Sequence, residues 1–135
     1  RDLGMSDQLK ELIEAGTPVL ATCAGLILLA ERVSNDDRAY LKTLPVSVKR
    51  NAYGRQLGSF VTDAEIAHIG IYRMNFIRAP YIDEILDPQV ETLAIVDGNT
   101  VAVRYKNQLA LSFHPEVSED ARVHAYFLNE IVQGV

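Results

Sequence analysis

The sequence predicts an α/β fold, in which helices pack against a mixed β-sheet. An apolar run after a proline, at 18–21, leads into a segment at 26–33 rich in Leu, Ile and Ala. This order is typical of a buried parallel strand followed by a helix. Three later apolar segments, at 91–96, 100–105 and 109–113, are joined by short connectors, which add antiparallel hairpins to the sheet.

The first element in chain order is a short helix at 6–15. Ser6 is suited to cap its N-terminus and Gly16 to end it. After the strand and the helix already described comes a polar segment at 34–38, which is predicted to be a loop.

The middle of the chain contains three predicted strands. Residues 45–50 alternate between apolar and polar, which indicates a half-exposed strand. Residues 50–56 have no helical or strand period, so composition alone predicts a solvated loop. A strand at 57–62 follows, and another at 72–80 is stopped by its final proline and carries Arg78 near its end.

The last third of the chain begins with a loop or short turn at 83–88, before the three hairpin strands. Their connectors are 97–99, Asp-Gly-Asn, and 106–108, Lys-Asn-Gln. A final helix is predicted to be capped by 118–120 and to run to about Val132. Its core-facing positions are Val123, Tyr126, Phe127 and Ile131.

Composition restricts the classes of function. The chain has 135 residues, enough for one domain or most of one, with 48% hydrophobic and 23% charged residues. A net charge of −5 without any basic cluster argues against a nucleic-acid surface, and the apolar runs are too short to cross a bilayer. No secretory signal pattern opens the sequence, and a single cysteine fits a reducing compartment, so we expect a cytoplasmic protein. No spacing of His, Cys and carboxylates suggests a metal site.

Cys23 is the first candidate for chemistry, because it lies at the predicted turn between the strand and the helix. The small neighbours Thr22, Ala24 and Gly25 allow a sharp turn. This is the arrangement of a nucleophile elbow with sulfur in place of oxygen, in which the Ala24 N–H would face an oxyanion. A lone cysteine, however, is more often an apolar core residue.

His114 and Glu116 form the second candidate group, directly after the apolar strand at 109–113. Residues two apart on an extended segment point to the same side, so Glu116 can orient His114. A thiol needs a nearby base, which His114 can supply. The alternative is a histidine in a surface turn and a glutamate that opens the next helix.

Four motifs carry a resemblance to a known family. Residues 22–25, Thr-Cys-Ala-Gly, and 112–116, Ser-Phe-His-Pro-Glu, resemble the class I, or triad, glutamine amidotransferases. Within that family, the sequence resembles the glutaminase subunits of pyridoxal 5′-phosphate synthase. The ordered motifs of this resemblance are 23–30, 50–56, 76–80 and 112–116.

The resemblance implies a three-layer, flavodoxin-like fold with a mixed, mostly parallel sheet. It also implies hydrolysis of L-glutamine by a triad of Cys23, His114 and Glu116. Arg50, Ile77 and Arg78 match positions beside the bound glutamine. Ammonia would pass to a synthase (lyase) subunit that makes pyridoxal 5′-phosphate, for vitamin B6 biosynthesis, from a pentose phosphate and a triose phosphate. The glutaminase subunit itself would bind no cofactor.

Members of this family begin with a strand, a helix and a second strand that leads to a Gly-Gly-Glu-Ser loop, which supplies a second oxyanion donor. That loop is not in this sequence. We therefore expect residues 1–135 to be a single glutamine amidotransferase domain without its N-terminal part. The alternatives are another triad amidotransferase or related cysteine hydrolase, and a non-catalytic regulatory subunit of the same fold.

Overall fold

The computed structural model describes residues 3–34, 39–50 and 59–133. The helices are α1 Leu3–Glu14, α2 Ala24–Leu29 and α3 Arg122–Tyr126, which continues as a π-helix over Phe127–Val132. A 3₁₀ turn spans Pro115–Val117. The strands are β1 Val19–Thr22, β2 Ala30–Val33, β3 Leu44–Lys49, β4 Ser59–Ile66, β5 Gly70–Ile77, β6 Tyr81–Ile85, β7 Glu91–Val96, β8 Asn99–Tyr105 and β9 Gln108–Leu111.

The described strands form one large sheet and one hairpin. The large sheet has the order β1-β9-β8-β6-β3-β2, with β7 also paired to β8, and β4 pairs with β5 in a separate two-stranded sheet. In the large sheet, β1–β9 and β2–β3 are parallel. The other four pairs are antiparallel. The mixed sheet is confirmed, whereas the parallel majority is wrong for the described residues, because four of the six strand pairs are antiparallel.

The sheet separates two hydrophobic cores. In β9, Leu109 and Leu111 belong to one core and Ala110, between them, to the other, as the alternation of side chains along a strand requires. The Ala110 core includes residues of α1 and α2, namely Ile13, Leu26 and Leu29. The opposite core includes residues of β5 and the C-terminal helix, namely Tyr72, Phe76, Val123, Tyr126 and Ile131. The predicted α/β class and layered arrangement are confirmed.

The first half of the chain departs from the predictions in two places. Helix α1 begins at Leu3, so Ser6 lies inside the helix, while Gly16, at φ 109°, ends it as predicted. The helix predicted at 26–33 ends at Leu29. The rest of that segment is β2, because pairing with β3 buries Ala30 and Val33 and outweighs their local preference.

The middle strands differ in burial and extent. Strand β3 was predicted to be half-exposed, but it is buried at 46–48, since it lies between β2 and β6. The loop predicted at 83–88 is partly strand β6, which pairs with β3. Strand β4 runs to Ile66, beyond the predicted end at 62. Residues 35–38 and 51–58 lie outside the described residues.

The C-terminal region follows the predictions more closely. The three hairpin strands are confirmed, and positive φ angles at Asp97 and Gly98, 53° and 80°, fit the short connector between β7 and β8. The helix predicted to be capped by 118–120 and to run to about Val132 is present from Arg122 to Val132, and it changes from an α-helix to a π-helix at Phe127. Within the described residues no helix is long and apolar enough to cross a membrane.

Ser112 provides a test of core packing. Its side chain is fully buried, and its hydroxyl has no hydrogen-bond partner among the described residues. An unpartnered buried hydroxyl costs about 1–3 kcal/mol. We therefore expect Ser112→Ala to leave the free energy of unfolding unchanged or to raise it, as measured by urea denaturation.

Ser47→Ala is the matched control. Ser47 is equally buried, but its hydroxyl accepts a hydrogen bond from Arg32 Nε at 3.4 Å. Loss of this bond should destabilise the protein by about 0.5–1.5 kcal/mol. A Ser112→Ala variant destabilised as much as Ser47→Ala would show that the Ser112 hydroxyl has a partner in solution.

Candidate active site

Cys23 lies at a sharp turn between β1 and α2, as predicted. Its backbone has φ 52° and ψ −104°, an uncommon conformation for a residue with a side chain. Such a conformation costs about 1–3 kcal/mol and persists only where its surroundings enforce it. Here the Cys23 N–H donates to the Leu111 carbonyl at 2.8 Å, and the Cys23 carbonyl accepts from Leu26 N–H at 3.0 Å. The turn is thus fixed on one side by the sheet and on the other by the helix.

Gly25 allows α2 to approach β1 closely. A Cβ atom at this position would lie 3.1 Å from the Cβ of Ala21, a tighter contact than side chains normally make. Gly25, two positions after Cys23, therefore has a packing role. It lets the helix begin immediately after Cys23.

His114 follows β9 and is held by its backbone and by its ring. Its backbone N–H donates to the carbonyl of Asn75 in β5 at 2.8 Å. Its Nδ1 lies 2.5 Å from Oε2 of Glu116, which sits in the 3₁₀ turn that Pro115 opens. The histidine and glutamate predicted to act together are therefore in contact.

The ionisation of Glu116 determines the tautomer of His114. Burial alone would raise the pKa of Glu116, but the hydrogen bond and the charge of His114 oppose this effect, and the pKa is lowered overall. An ionised carboxylate can only accept hydrogen bonds. His114 must then carry a proton on Nδ1, which leaves Nε2 of the neutral ring free to accept one.

The Cys23 thiol is half-buried and protonated at rest. Burial raises the pKa of Cys23, the hydrogen bond from the Ala24 backbone N–H lowers it, and the negative charge of Glu116 raises it again, so that it lies above its ordinary value. The thiol donates to the carbonyl oxygen of Ile77 at 3.6 Å. Because the Ala24 N–H reaches the sulfur, it is also placed to face charge that develops beside the sulfur.

The architecture brings these groups to one edge of the sheet. Strands β1 and β9 are parallel, with Thr22 opposite Leu111, so Cys23 and His114 follow neighbouring strand ends. Strand β5 contacts both, through the carbonyl of Ile77 for the thiol and that of Asn75 for the histidine backbone. The edge therefore carries the three kinds of group that attack on a carboxamide carbon requires, namely a nucleophile, a base and an N–H donor.

The contribution of β5 was missed by sequence reasoning. Ile77 was predicted to lie beside a substrate, but its contact with the thiol was not foreseen, and Asn75 was not considered at all. Both act through carbonyl oxygens, which every residue has. The sequence therefore holds no signal for either contact.

Two predicted arginines lie at strand ends. Arg78 directly follows Ile77, is exposed, and has a positive φ of 47°. Arg50 follows β3 and is half-buried. The rest of its motif, 51–56, lies outside the described residues. Among residues 3–34, 39–50 and 59–133, no group of three or more His, Cys, Asp or Glu could hold a metal ion.

Known proteins match nearly the whole chain. A chain from Desulfitobacterium hafniense (strain DSM 10664 / DCB-2), named pyridoxal 5′-phosphate synthase subunit PdxT, is 58% identical over 134 residues, which cover 99% of this chain and 67% of the relative. A protein of the same name from Methanocorpusculum labreanum is 52% identical, with coverage of 99% and 69%. The chain thus spans about two thirds of the length of these relatives.

A solved structure agrees with these relatives. It is described as a glutamine amidotransferase and superposes with a TM-score of 0.87 at 41% sequence identity, covering 98% of this chain and 69% of its own. The sequence matches the SNO glutamine amidotransferase family over residues 1–133. With a match of this extent, and relatives more than half identical, the chain belongs to the SNO glutamine amidotransferase family.

Proposed function

We propose that this protein hydrolyses the side-chain amide of L-glutamine to give glutamate and ammonia. The observation that carries the proposal is the Cys23 thiol at a sharp turn, on the same sheet edge as a hydrogen-bonded His114–Glu116 pair. Membership of a glutamine amidotransferase family supports the same reaction class.

The reaction begins with proton transfer. Nε2 of His114 takes the proton of the Cys23 thiol as the sulfur attacks the amide carbon of glutamine, and the Ala24 N–H donates to the resulting oxyanion. The C–N bond then breaks, and His114 gives its proton to the departing nitrogen, which leaves as ammonia. Water attacks the thioester carbon, with His114 again as base. The C–S bond then breaks, His114 returns the proton to the sulfur, and glutamate is released. Glu116 orients His114 through both steps.

The raised pKa of Cys23 fits this order of events. A thiol that stays protonated at rest forms its thiolate only when His114 accepts the proton. Attack therefore requires a substrate that displaces the thiol from the Ile77 carbonyl and turns it toward the histidine.

Substrate recognition is assigned to the region around Ile77. Glutamine carries an α-carboxylate, which arginine binds well through paired hydrogen bonds. We assign this role to Arg50 and Arg78, with the Ile77 backbone alongside. The exposure of Arg78 next to the residue that contacts the thiol supports the assignment.

The relatives suggest the fate of the ammonia, since two of them are named as subunits of pyridoxal 5′-phosphate synthase. We propose that this protein delivers ammonia in the cytoplasm to a synthase subunit and binds no pyridoxal phosphate itself. The greater length of the relatives supports a further point: residues 1–135 form the larger part of one amidotransferase domain. A Gly-Gly-Glu-Ser loop, absent from this sequence, would supply the second oxyanion donor.

The nucleophile can be tested with Cys23→Ala in the full-length protein. We expect ammonia release from glutamine, assayed with equimolar synthase subunit, to fall below detection, because alanine has no thiol to attack the amide carbon. The fold should persist, since alanine keeps the Cβ at this half-buried position, and circular dichroism can confirm this.

Two results would contradict the proposal. Undiminished hydrolysis by Cys23→Ala would remove Cys23 from the mechanism. Absence of any detectable complex with the synthase subunit would argue against delivery of ammonia to that partner. A glutamine-like electrophile should label the wild type at Cys23 and leave the variant unlabelled, which provides an internal control.

The electrostatic role of Glu116 can be tested with Glu116→Gln. The negative charge of Glu116 raises the pKa of Cys23, so its removal should lower that pKa and shift the pH profile of thiol alkylation to lower pH. Glutamine hydrolysis should fall in the same variant by roughly 10²–10⁴-fold, because His114 loses the carboxylate that fixes its tautomer.

Glu91→Gln is the matched control, because Glu91 also pairs with a histidine, His68, at 2.7 Å, outside the candidate site. It should leave both the alkylation profile and hydrolysis unchanged. A shift of the Glu116→Gln alkylation profile to higher pH would contradict the assigned sign.

Substrate binding can be tested with Arg50→Ala and Arg78→Ala. Loss of a charge-assisted hydrogen bond to the α-carboxylate should raise the KM for glutamine by about tenfold or more in at least one variant. Arg32→Ala, which removes an exposed ion pair with Glu84, is the control. Wild-type KM and kcat in both test variants would show that neither side chain binds substrate.

A further inference from the structure

Arg122, at the start of α3, joins separate pieces of backbone. Its Nη1 donates to the carbonyl of Ile69 at 3.2 Å, and its Nη2 donates to the carbonyl of Ile71. Its Nε and Nη2 also donate to the carboxylate of Asp120, at 3.0 and 2.7 Å. A guanidinium presents its donors in one rigid plane, so a single side chain can hold all three partners together.

The segment from His114 to Arg122 lies along β5 in the opposite direction to the strand. The His114 N–H bonds to the carbonyl of Asn75, the Asp120 carbonyl accepts from the Tyr72 hydroxyl at 3.2 Å, and Arg122 reaches Ile71. Later residues of the segment thus contact earlier residues of β5, as in an antiparallel alignment. Arg122 and Asp120 therefore form one anchor of the segment, and His114 forms the other.

Aromatic rings support this alignment from within the core. Phe113, immediately before the segment, is fully buried and packs against Tyr72 at 5.9 Å and Phe76 at 5.8 Å between ring centroids. Both partner rings belong to β5. Strand β5 is thus joined to the segment by ring contacts in the core and by hydrogen bonds along its length.

Strand β5 also contacts the nucleophile, because the Ile77 carbonyl accepts from the Cys23 thiol. The thiol and the histidine are both positioned relative to this strand. The 3₁₀ turn with Glu116 lies between the two anchors, and the Glu116 side chain is 53% exposed. Loss of the Arg122 contacts would leave the turn attached to β5 through the His114 N–H and the bond from the Tyr72 hydroxyl to the Asp120 carbonyl.

We propose that Arg122 is a positioning residue, which sets the distance between His114 and the Cys23 sulfur by anchoring the His114–Glu116 turn to β5. This inference rests on the proposed glutaminase function. A misplacement of about 1 Å at a reacting group can cost on the order of 10²-fold in rate, so a residue without contact to substrate can still control turnover.

Arg73 offers a matched comparison. It lies on β5, the strand to which Arg122 bonds, and it is exposed. Its ion pair with Asp63, at 3.0 Å, stays within the β4–β5 hairpin. Exposed ion pairs contribute little to stability, so neither Arg122→Ala nor Arg73→Ala should unfold the protein. The two variants remove the same charge but differ in whether the His114–Glu116 turn loses an anchor.

The experiment measures glutamine hydrolysis by the full-length protein with its synthase subunit. We expect Arg122→Ala to lower kcat by about tenfold or more with KM changed by less than about threefold, since the substrate contacts remain while the base is displaced. Arg122→Lys should stay impaired, because an ammonium lacks the planar fork. Arg73→Ala should match the wild type.

A second readout does not depend on turnover. Hydrogen–deuterium exchange at the His114 amide, which is bonded to Asn75, should accelerate in Arg122→Ala and stay unchanged in Arg73→Ala. If Arg122→Ala does not fold, Arg122→Lys and Asp120→Asn replace it in both measurements.

The outcomes separate the inference from the proposed function. Wild-type kcat in a folded Arg122→Ala variant, or an equal loss in Arg73→Ala, would overturn the positioning role. Faster exchange without a change in kcat would also overturn it. Absence of ammonia release by the wild type would instead overturn the glutaminase function, while unchanged exchange in Arg122→Ala would independently disprove the anchor.

Discussion

The parallel pairing of β1 with β9 is the constraint on which the candidate site depends. It places Cys23 beside the strand end that leads to His114, although 90 residues separate them in the sequence. At the opposite end of the pair, the Asn107 side chain donates to the carbonyls of Ile13 and Thr17. The backbone carbonyl of Asn107 accepts from the N–H of Val19. A slip of one residue would turn every side chain of β1 to the other face, so this buried asparagine helps to set the register.

Within that frame, Glu116 has two electrostatic effects that act on different partners. It holds His114 in the tautomer with a free Nε2, and its charge raises the pKa of Cys23. A histidine made ready to accept a proton thus lies on the same sheet edge as a thiol whose pKa is raised. A protonated thiol is a poor nucleophile and resists oxidation. In the proposed mechanism, this arrangement confines reactivity to the moment when substrate brings the two groups together.

The sequence predicted the features that depend on local residue types. The turn at Cys23, the hairpin at Asp97-Gly98 and the end of α1 at Gly16 all follow from small or glycine residues at positions with positive φ or close packing. It failed where tertiary pairing decides the outcome. Residues 30–33 have no strong strand signal, and they become β2 only because β3 lies alongside. The contact between His114 and Glu116 was predicted correctly but from an extended segment, whereas Glu116 lies in a 3₁₀ turn. The position of β5 beside both catalytic candidates was not predicted.

The part played by β5 explains why side-chain motifs describe only part of this site. Its contacts with Cys23 and His114 are made by carbonyl oxygens, and no substitution can remove a carbonyl. Selection can act on them only through the side chains that hold the strand in place, such as Tyr72 and Phe76 in the core and Arg122 at the surface. The residues that control the geometry of the site therefore extend along the whole strand, beyond the edge where the chemistry is proposed to occur.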